Sequence, residues 1–107
     1  MRVKVTTPHL GEGQFPTFPK STPVNLIGET SDDHFLHWWA CDIDGHSTYV
    51  PEHYLHDGKL YRDYNPTELV QQTGDVLQVR EIAFAWLYAT NDKGVSGWIP
   101  AEVVVSL

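Results

Sequence analysis

The sequence predicts an all-β protein made of two small modules, each a barrel or a sandwich, that pack against each other. Apolar and polar residues alternate in short runs rich in β-branched and aromatic side chains, for example at 22–29 and 74–82, and this is the pattern of half-buried strands. Glycine with aspartate or asparagine separates the runs at 42–47 and 91–97, where hairpin turns need positive backbone φ angles. Many short strands joined by turns favour a barrel or sandwich over a βαβ fold.

An internal repeat indicates that there are two such modules. Residues 48–55, TYVPEHYL, correspond to residues 97–104, GWIPAEVV, at an offset of 49 that aligns Pro51 with Pro100. Upstream of the aromatic strands the offset is 53. Because insertions collect in loops, we expect a longer loop in the first copy, within residues 28–35.

The two copies predict the same order of elements. The expected strands and closing segments, in chain order, are residues 22–29, 35–41, 48–55, 74–82, 85–90 and 97–104. We place the boundary in residues 56–59, which gives repeats at 1–57 and 58–107. Domains of about fifty residues bury little apolar surface on their own, so we expect a contact between the repeats.

Charge and composition narrow the range of partners. The formal net charge of −7 repels phosphate backbones and anionic lipids, so we expect neither a nucleic-acid nor a membrane partner. The single cysteine, Cys41, rules out an internal disulfide, and the chain contains no long apolar run. These features predict a cytoplasmic protein whose partner is a protein or peptide, basic or proline-containing.

The second half of the chain resembles an SH3 domain. The resemblance rests on ELVQQTGDVLQV (68–79), AWLYA (85–89) and GWIPAEVV (97–104), with RDYNP (62–66) similar to the family's opening segment. The first half matches less completely, and the whole chain resembles bacterial proteins with tandem variant SH3 domains. The resemblance implies two five-stranded barrels. In this family a shallow aromatic groove binds polyproline II peptides, and an acidic residue pairs with Arg or Lys of the peptide.

The resemblance also implies ligand-binding residues in the second repeat. Trp86 and Pro100 occupy the positions of the family's groove tryptophan and groove proline. Tyr64 occupies the position of the second tyrosine in the family's opening segment, and Glu68 occupies the position of its acidic residue. Three other groove positions depart from the family, and they are Arg62, Glu102 and Val103.

The first repeat keeps a different part of the groove. Pro51 and Tyr54 match the family, whereas His37 replaces the groove tryptophan and His53 replaces an asparagine. Each repeat therefore keeps only part of the peptide-binding groove of the family.

Three functions remain open. The leading hypothesis is a non-enzymatic adaptor that binds a basic or proline-containing peptide through these grooves. The alternative is a structural or regulatory assembly unit whose grooves are buried between the repeats, with Trp86 used for packing instead of ligand binding. A cell-wall-binding module of the bacterial SH3 type is a third hypothesis.

Metal binding and catalysis have little support in the sequence. The spacing His-x2-His occurs at 34–37 and 53–56, with Cys41 between the two pairs, and such residues can bind zinc. However, side chains three apart on a strand point to opposite faces. Cys41 has no recognisable orienting group or oxyanion motif. We expect no catalytic residue, no metal and no cofactor.

Overall fold

The structure is a computed structural model that describes residues 1–11, 13–29 and 37–107. These residues form strands and short 3-10 turns and contain no α-helix, which confirms the predicted all-β class. The strands are β1 (Arg2–Val5), β2 (Asn25–Glu29), β3 (Trp38–Ile43), β4 (His46–Pro51), β5 (Leu55–His56), β6 (Lys59–Leu60), β7 (Val76–Ala83), β8 (Trp86–Thr90), β9 (Ser96–Pro100) and β10 (Val104–Ser106). The 3-10 turns Glu52–Tyr54 and Ala101–Val103 follow β4 and β9.

Both hairpin turns that the glycine pattern predicts are present. Asp44 and Gly45 join β3 to β4 with φ angles of 48° and 82°. Between β8 and β9, the side-chain oxygen of Asn91 accepts hydrogen bonds from the backbone N–H groups of Lys93 (3.0 Å) and Val95 (2.9 Å). The longer loop predicted at 28–35 falls largely outside the described residues.

The chain divides into two compact units that are not the predicted halves 1–57 and 58–107. Unit 1 consists of Met1–Gln14 and Thr67–Leu107, and unit 2 consists of Phe15–Pro66. The chain therefore enters unit 2 after residue 14 and returns to unit 1 after residue 66.

Unit 1 contains an antiparallel sheet of five strands in the order β10-β1-β7-β8-β9. In this sheet β1 pairs on one side with β10 and on the other with β7, so that Val3 faces Ser106 and Leu77. The apolar core of unit 1 includes residues from both chain segments: Val3, Val5, Leu69, Leu77, Leu87, Ala89 and Ile99.

Unit 2 contains a sheet with the order β2-β3-β4 and a hairpin of β5 and β6. The hairpin turn is Asp57–Gly58, with φ angles of 52° and 74°. Two positive φ angles in a two-residue loop are the requirement of a tight hairpin turn. Single bridges add further pairings, Phe18 with Tyr64 and Pro23 with Lys59.

The Asp57–Gly58 turn explains why the units differ from the predicted halves. The sequence places the boundary at residues 56–59, but the tight turn folds β6 back onto β5. The first strand of the second half therefore belongs to unit 2, and β1 takes the corresponding place beside β10 and β7. We call this arrangement the first-strand exchange.

The predicted closure into barrels is not found in the described part of the chain. In unit 1, β9 and β10 are the two edges of the sheet and do not pair with each other. In unit 2 the strands form separate sheets of three and two strands. No helix among the described residues has the length and apolar character needed to cross a membrane.

Candidate functional site

In unit 1, the predicted groove residues Trp86 and Pro100 are buried cross-strand partners. Trp86 begins β8 and Pro100 ends β9, and the two lie opposite each other in the sheet. Just beyond this pair, the backbone N–H of Ala101 donates to the carbonyl of Ala85 at 2.9 Å. The ring of His9 lies against Trp86 edge to face, with centroids 6.0 Å apart and planes at 72°.

His9 is bound through both of its ring nitrogens. Nδ1 lies 2.8 Å from the carbonyl oxygen of Leu69, and Nε2 lies 3.1 Å from Oε1 of Glu68. A carbonyl and a carboxylate oxygen can only accept, so each nitrogen needs a proton to form its hydrogen bond. Both bonds exist together only in the doubly protonated imidazolium. The side chains of His9 and Glu68 are 15% and 18% exposed, so water screens the pair only in part.

Residues 67–69 position Glu68 by running beside β9. The Trp98 N–H donates to the Thr67 carbonyl (3.0 Å), and the Leu69 N–H donates to the Trp98 carbonyl (2.8 Å). Gly97 makes this approach possible, because a Cβ there would lie 2.9 Å from the Thr67 oxygen. Glu68, which the sequence predicts to pair with a ligand, is thus held beside the sheet, and its carboxylate contacts His9.

In unit 2, the predicted residues Tyr54 and Tyr64 form a buried aromatic pair. Their ring centroids are 5.1 Å apart and their planes are at 72°. The hydroxyl of Tyr64 donates to the carbonyl of Tyr49 at 2.6 Å, which satisfies its polar end. The guanidinium of Arg62 lies 4.7 Å from the centroid of the Tyr54 ring, within cation–π range.

His37 and His53 lie at the surface of unit 2, around the 3-10 turn that follows Pro51. His37 has φ +67°, and its Nδ1 is 2.9 Å from Oε2 of Glu52, with both side chains about half exposed. His53 meets Tyr54 edge to face at 4.9 Å. Pro51 itself is buried and pairs with Trp38.

The first-strand exchange changes the grouping of the predicted site residues. Tyr64, which the resemblance groups with Trp86, lies in unit 2 beside Tyr54. Unit 1 therefore has the tryptophan, proline and acidic positions, and unit 2 has the two tyrosines. Sequence reasoning missed His9, because a linear reading assigns it to the first repeat and gives no sign that it contacts Glu68.

The two His-x2-His pairs and Cys41 do not assemble into a metal site among the described residues. No group of three or more His, Cys, Asp and Glu side chains there is arranged to hold a metal ion, and His34 lies outside those residues. Cys41 is fully buried, and its burial, with a smaller contribution from the charge of Asp42, raises the pKa of its thiol to about 12. The thiol is therefore protonated at neutral pH and is a poor nucleophile.

A shallow cavity of about 300 Å³ lies elsewhere in unit 2, at the β5–β6 hairpin. Its lining carries charges of both signs, since Lys20 and Lys59 face it together with His56 and Asp57. Lys20 also lies over the ring of Tyr61, at 5.9 Å from the centroid. This mixture of charges selects no class of small ligand.

Comparison of the chain with protein-family models, with curated proteins and with solved structures finds no match. The features that bear on function are therefore the geometry of the two units and the resemblance seen in the sequence.

Proposed function

We propose that the chain is a non-enzymatic protein-interaction unit made of two SH3-like folds. In this proposal the aromatic groove positions pack the fold, and the partner binds elsewhere on the surface. The order of elements supports the SH3-like assignment. In both copies three strands are followed by a 3-10 turn and a short last strand, β2 to β5 and β7 to β10.

The burial of the groove aromatics is the observation that favours packing over peptide binding. Trp86 is 5% exposed, Tyr54 is 5% exposed and Tyr64 is 2% exposed. A polyproline peptide binds by laying its rings on the faces of exposed aromatic side chains. Rings buried to this degree have no face available for such a ligand.

Glu68, the acidic residue of the groove, already has a partner within the chain. A peptide's Arg or Lys would pair with Glu68, but Oε1 of Glu68 already lies 3.1 Å from Nε2 of His9. A ligand would have to displace His9 and would break its hydrogen bonds. This favours the assembly-unit hypothesis over the peptide adaptor.

Two further observations shape the proposal. The buried thiol of Cys41, with its pKa raised to about 12, removes the one cysteine nucleophile and supports a non-enzymatic role. The net charge of −7 favours a basic partner surface, because charge complementarity speeds association and excludes acidic partners.

An NMR titration tests the proposal. Proline-rich peptides, with and without arginine, are added to the ¹⁵N-labelled chain, and the Trp86 indole and Tyr54 amide signals are followed. We expect no saturable shift at either residue. A saturable, arginine-dependent shift centred on Trp86 that Glu68→Gln weakens would overturn the proposal in favour of the peptide adaptor.

A further inference from the structure

The N-terminal arm, residues 1–11, is an integral part of unit 1. Its strand β1 lies between β7 and β10, and among the described strands no other links those two in the sheet. Val3 and Val5 belong to the core of unit 1, with exposed fractions near zero. Because burial of apolar side chains stabilises a fold, unit 1 is incomplete without the arm.

Backbone hydrogen bonds extend the contact beyond β1. The N–H of Val5 donates to the carbonyl of Asp75 at 2.8 Å. His9 and Gln71 exchange two backbone hydrogen bonds of 3.0 and 2.9 Å. Together with the His9–Glu68 contact, these bonds attach the whole arm to residues that follow position 66.

The arm is joined to unit 2 by a short connection in which glycine φ angles are positive. Gly11 still packs in unit 1, since a Cβ there would lie 3.0 Å from Cβ of Glu68. Gly13 has φ +71°, and a Cβ built on it meets nothing within 4 Å. Phe15 is the first residue of unit 2. Gly13 is therefore the point at which the chain can change direction without disturbing a packed side chain.

We propose that unit 1 accepts the arm of a second copy of this chain, so that two chains exchange residues 1–11 and form a dimer. Every contact that holds the arm in unit 1 is noncovalent, and the same residues of a second copy make the same contacts. Exchange of an identical element between protomers is a low-cost route to dimers. Each dimer would contain two complete copies of unit 1, each with Val3, Val5 and His9 supplied by the partner copy.

Chain concentration decides between the two forms. Within one chain the arm faces its acceptor at an effective concentration on the order of millimolar, which favours the monomer in dilute solution. Exchange also requires unit 1 to open, because the arm contributes to its core. Dimers should therefore form when chains refold together at high concentration.

Two variants, each with one added cysteine beside the native Cys41, test the exchange of arms between full-length chains. Lys4 and Val76 are cross-strand partners with exposed side chains, and such partners lie within the Cα separation that a disulfide spans. Chains with Lys4→Cys and chains with Val76→Cys are unfolded, mixed, refolded and then oxidised with glutathione disulfide. A Lys4→Cys arm can reach a Val76→Cys strand only in trans, because neither chain carries both.

We expect a covalent heterodimer whose yield rises with the chain concentration during refolding. The matched control replaces Val76→Cys with Val95→Cys, an exposed position in the β8–β9 turn. Because every chain keeps the native Cys41, the control pair also measures how much heterodimer forms through disulfides of that residue. A heterodimer yield no higher than the control at any concentration would overturn the proposal.

A hinge variant adds an independent measurement. Proline fixes φ near −65°, so Gly13→Pro cannot keep the φ of +71° and should shift the chain from monomer to dimer in light scattering. Gly13→Asn is the control, because asparagine tolerates positive φ, and it should remain monomeric. A folded Gly13→Pro monomer would contradict the proposal. If this variant fails to fold, the cysteine mixing experiment decides.

Discussion

Among single side chains, His9 best shows how unit 1 uses its candidate site. The ring packs edge to face against Trp86, while its two nitrogens lie close to Leu69 and Glu68. A basic group that pairs with the acidic position next to the tryptophan is the chemistry expected of a peptide ligand. In unit 1 the chain's own residue supplies that group, so the site contributes to folding stability.

A double-mutant cycle measures this contribution. His9→Ala and Glu68→Gln should be coupled by about 1 kcal/mol, because the two side chains are mostly buried and a charge-assisted hydrogen bond joins them. The measurement is urea unfolding of the wild type, both single variants and the double variant. Strictly additive effects would show that the contact does not stabilise the fold.

An exposed histidine–aspartate pair serves as the matched control. His56 and Asp57 approach to 3.4 Å, but their side chains are 71% and 87% exposed. Water screens such pairs strongly. The cycle made with His56→Ala and Asp57→Asn should therefore show no measurable coupling.

At the level of strands and turns, the sequence predicts the positions of the strands and hairpin turns, because these depend on the local pattern of residues. Alternation locates the strands, and the Asp44–Gly45 and Asn91–Val95 turns follow from residues that accept positive φ or cap a turn. Strand pairing is not local. The Asp57–Gly58 dipeptide is read as a boundary, although its positive φ angles make it the hairpin that brings β6 onto β5.

The candidate site is predictable to the same extent. The resemblance identifies Trp86, Pro100 and Tyr54, and all three are buried. It groups Tyr64 with Trp86, whereas Tyr64 belongs to unit 2 and packs on Tyr54. It also misses His9, because the position of His9 depends on which unit receives the first strand. Side-chain exposure likewise depends on tertiary packing, so sequence alone does not show that the groove aromatics are covered.

Gly97 provides a test at the contact between β9 and residues 67–69. The Cβ of Gly97→Ala would lie 2.9 Å from the Thr67 carbonyl oxygen and 3.0 Å from the Leu69 nitrogen. Both atoms belong to the backbone and cannot rotate away, so we expect a loss of about 1–3 kcal/mol in the free energy of unfolding. Urea unfolding should give a lower midpoint.

Val95→Ala is the control for Gly97→Ala, because it alters an exposed residue of the same hairpin. Surface substitutions of this kind usually change stability by less than about 0.5 kcal/mol. Equal midpoints for the two variants would mean that residues 67–69 do not lie as close to β9 as the structure places them.

For the chain as a whole, the first-strand exchange is the feature that organises everything else. It accounts for two units that each combine residues from both sequence repeats. It also brings the two groove tyrosines together in unit 2 and places His9 on Trp86 in unit 1. The same arrangement makes residues 1–11 a separable strand that a second copy can supply.

The decisive measurement therefore determines which strands pair with β1. It uses nuclear Overhauser spectroscopy on the monomer. The structure predicts cross-strand Hα contacts between Arg2 and Gln78 and between Lys4 and Val76, in the register of β1 on β7. If each sequence half instead folded with its own first strand, the same Hα protons of β1 would contact β2 and β5. Contacts of that second kind would contradict the exchange and the division into units that follows from it.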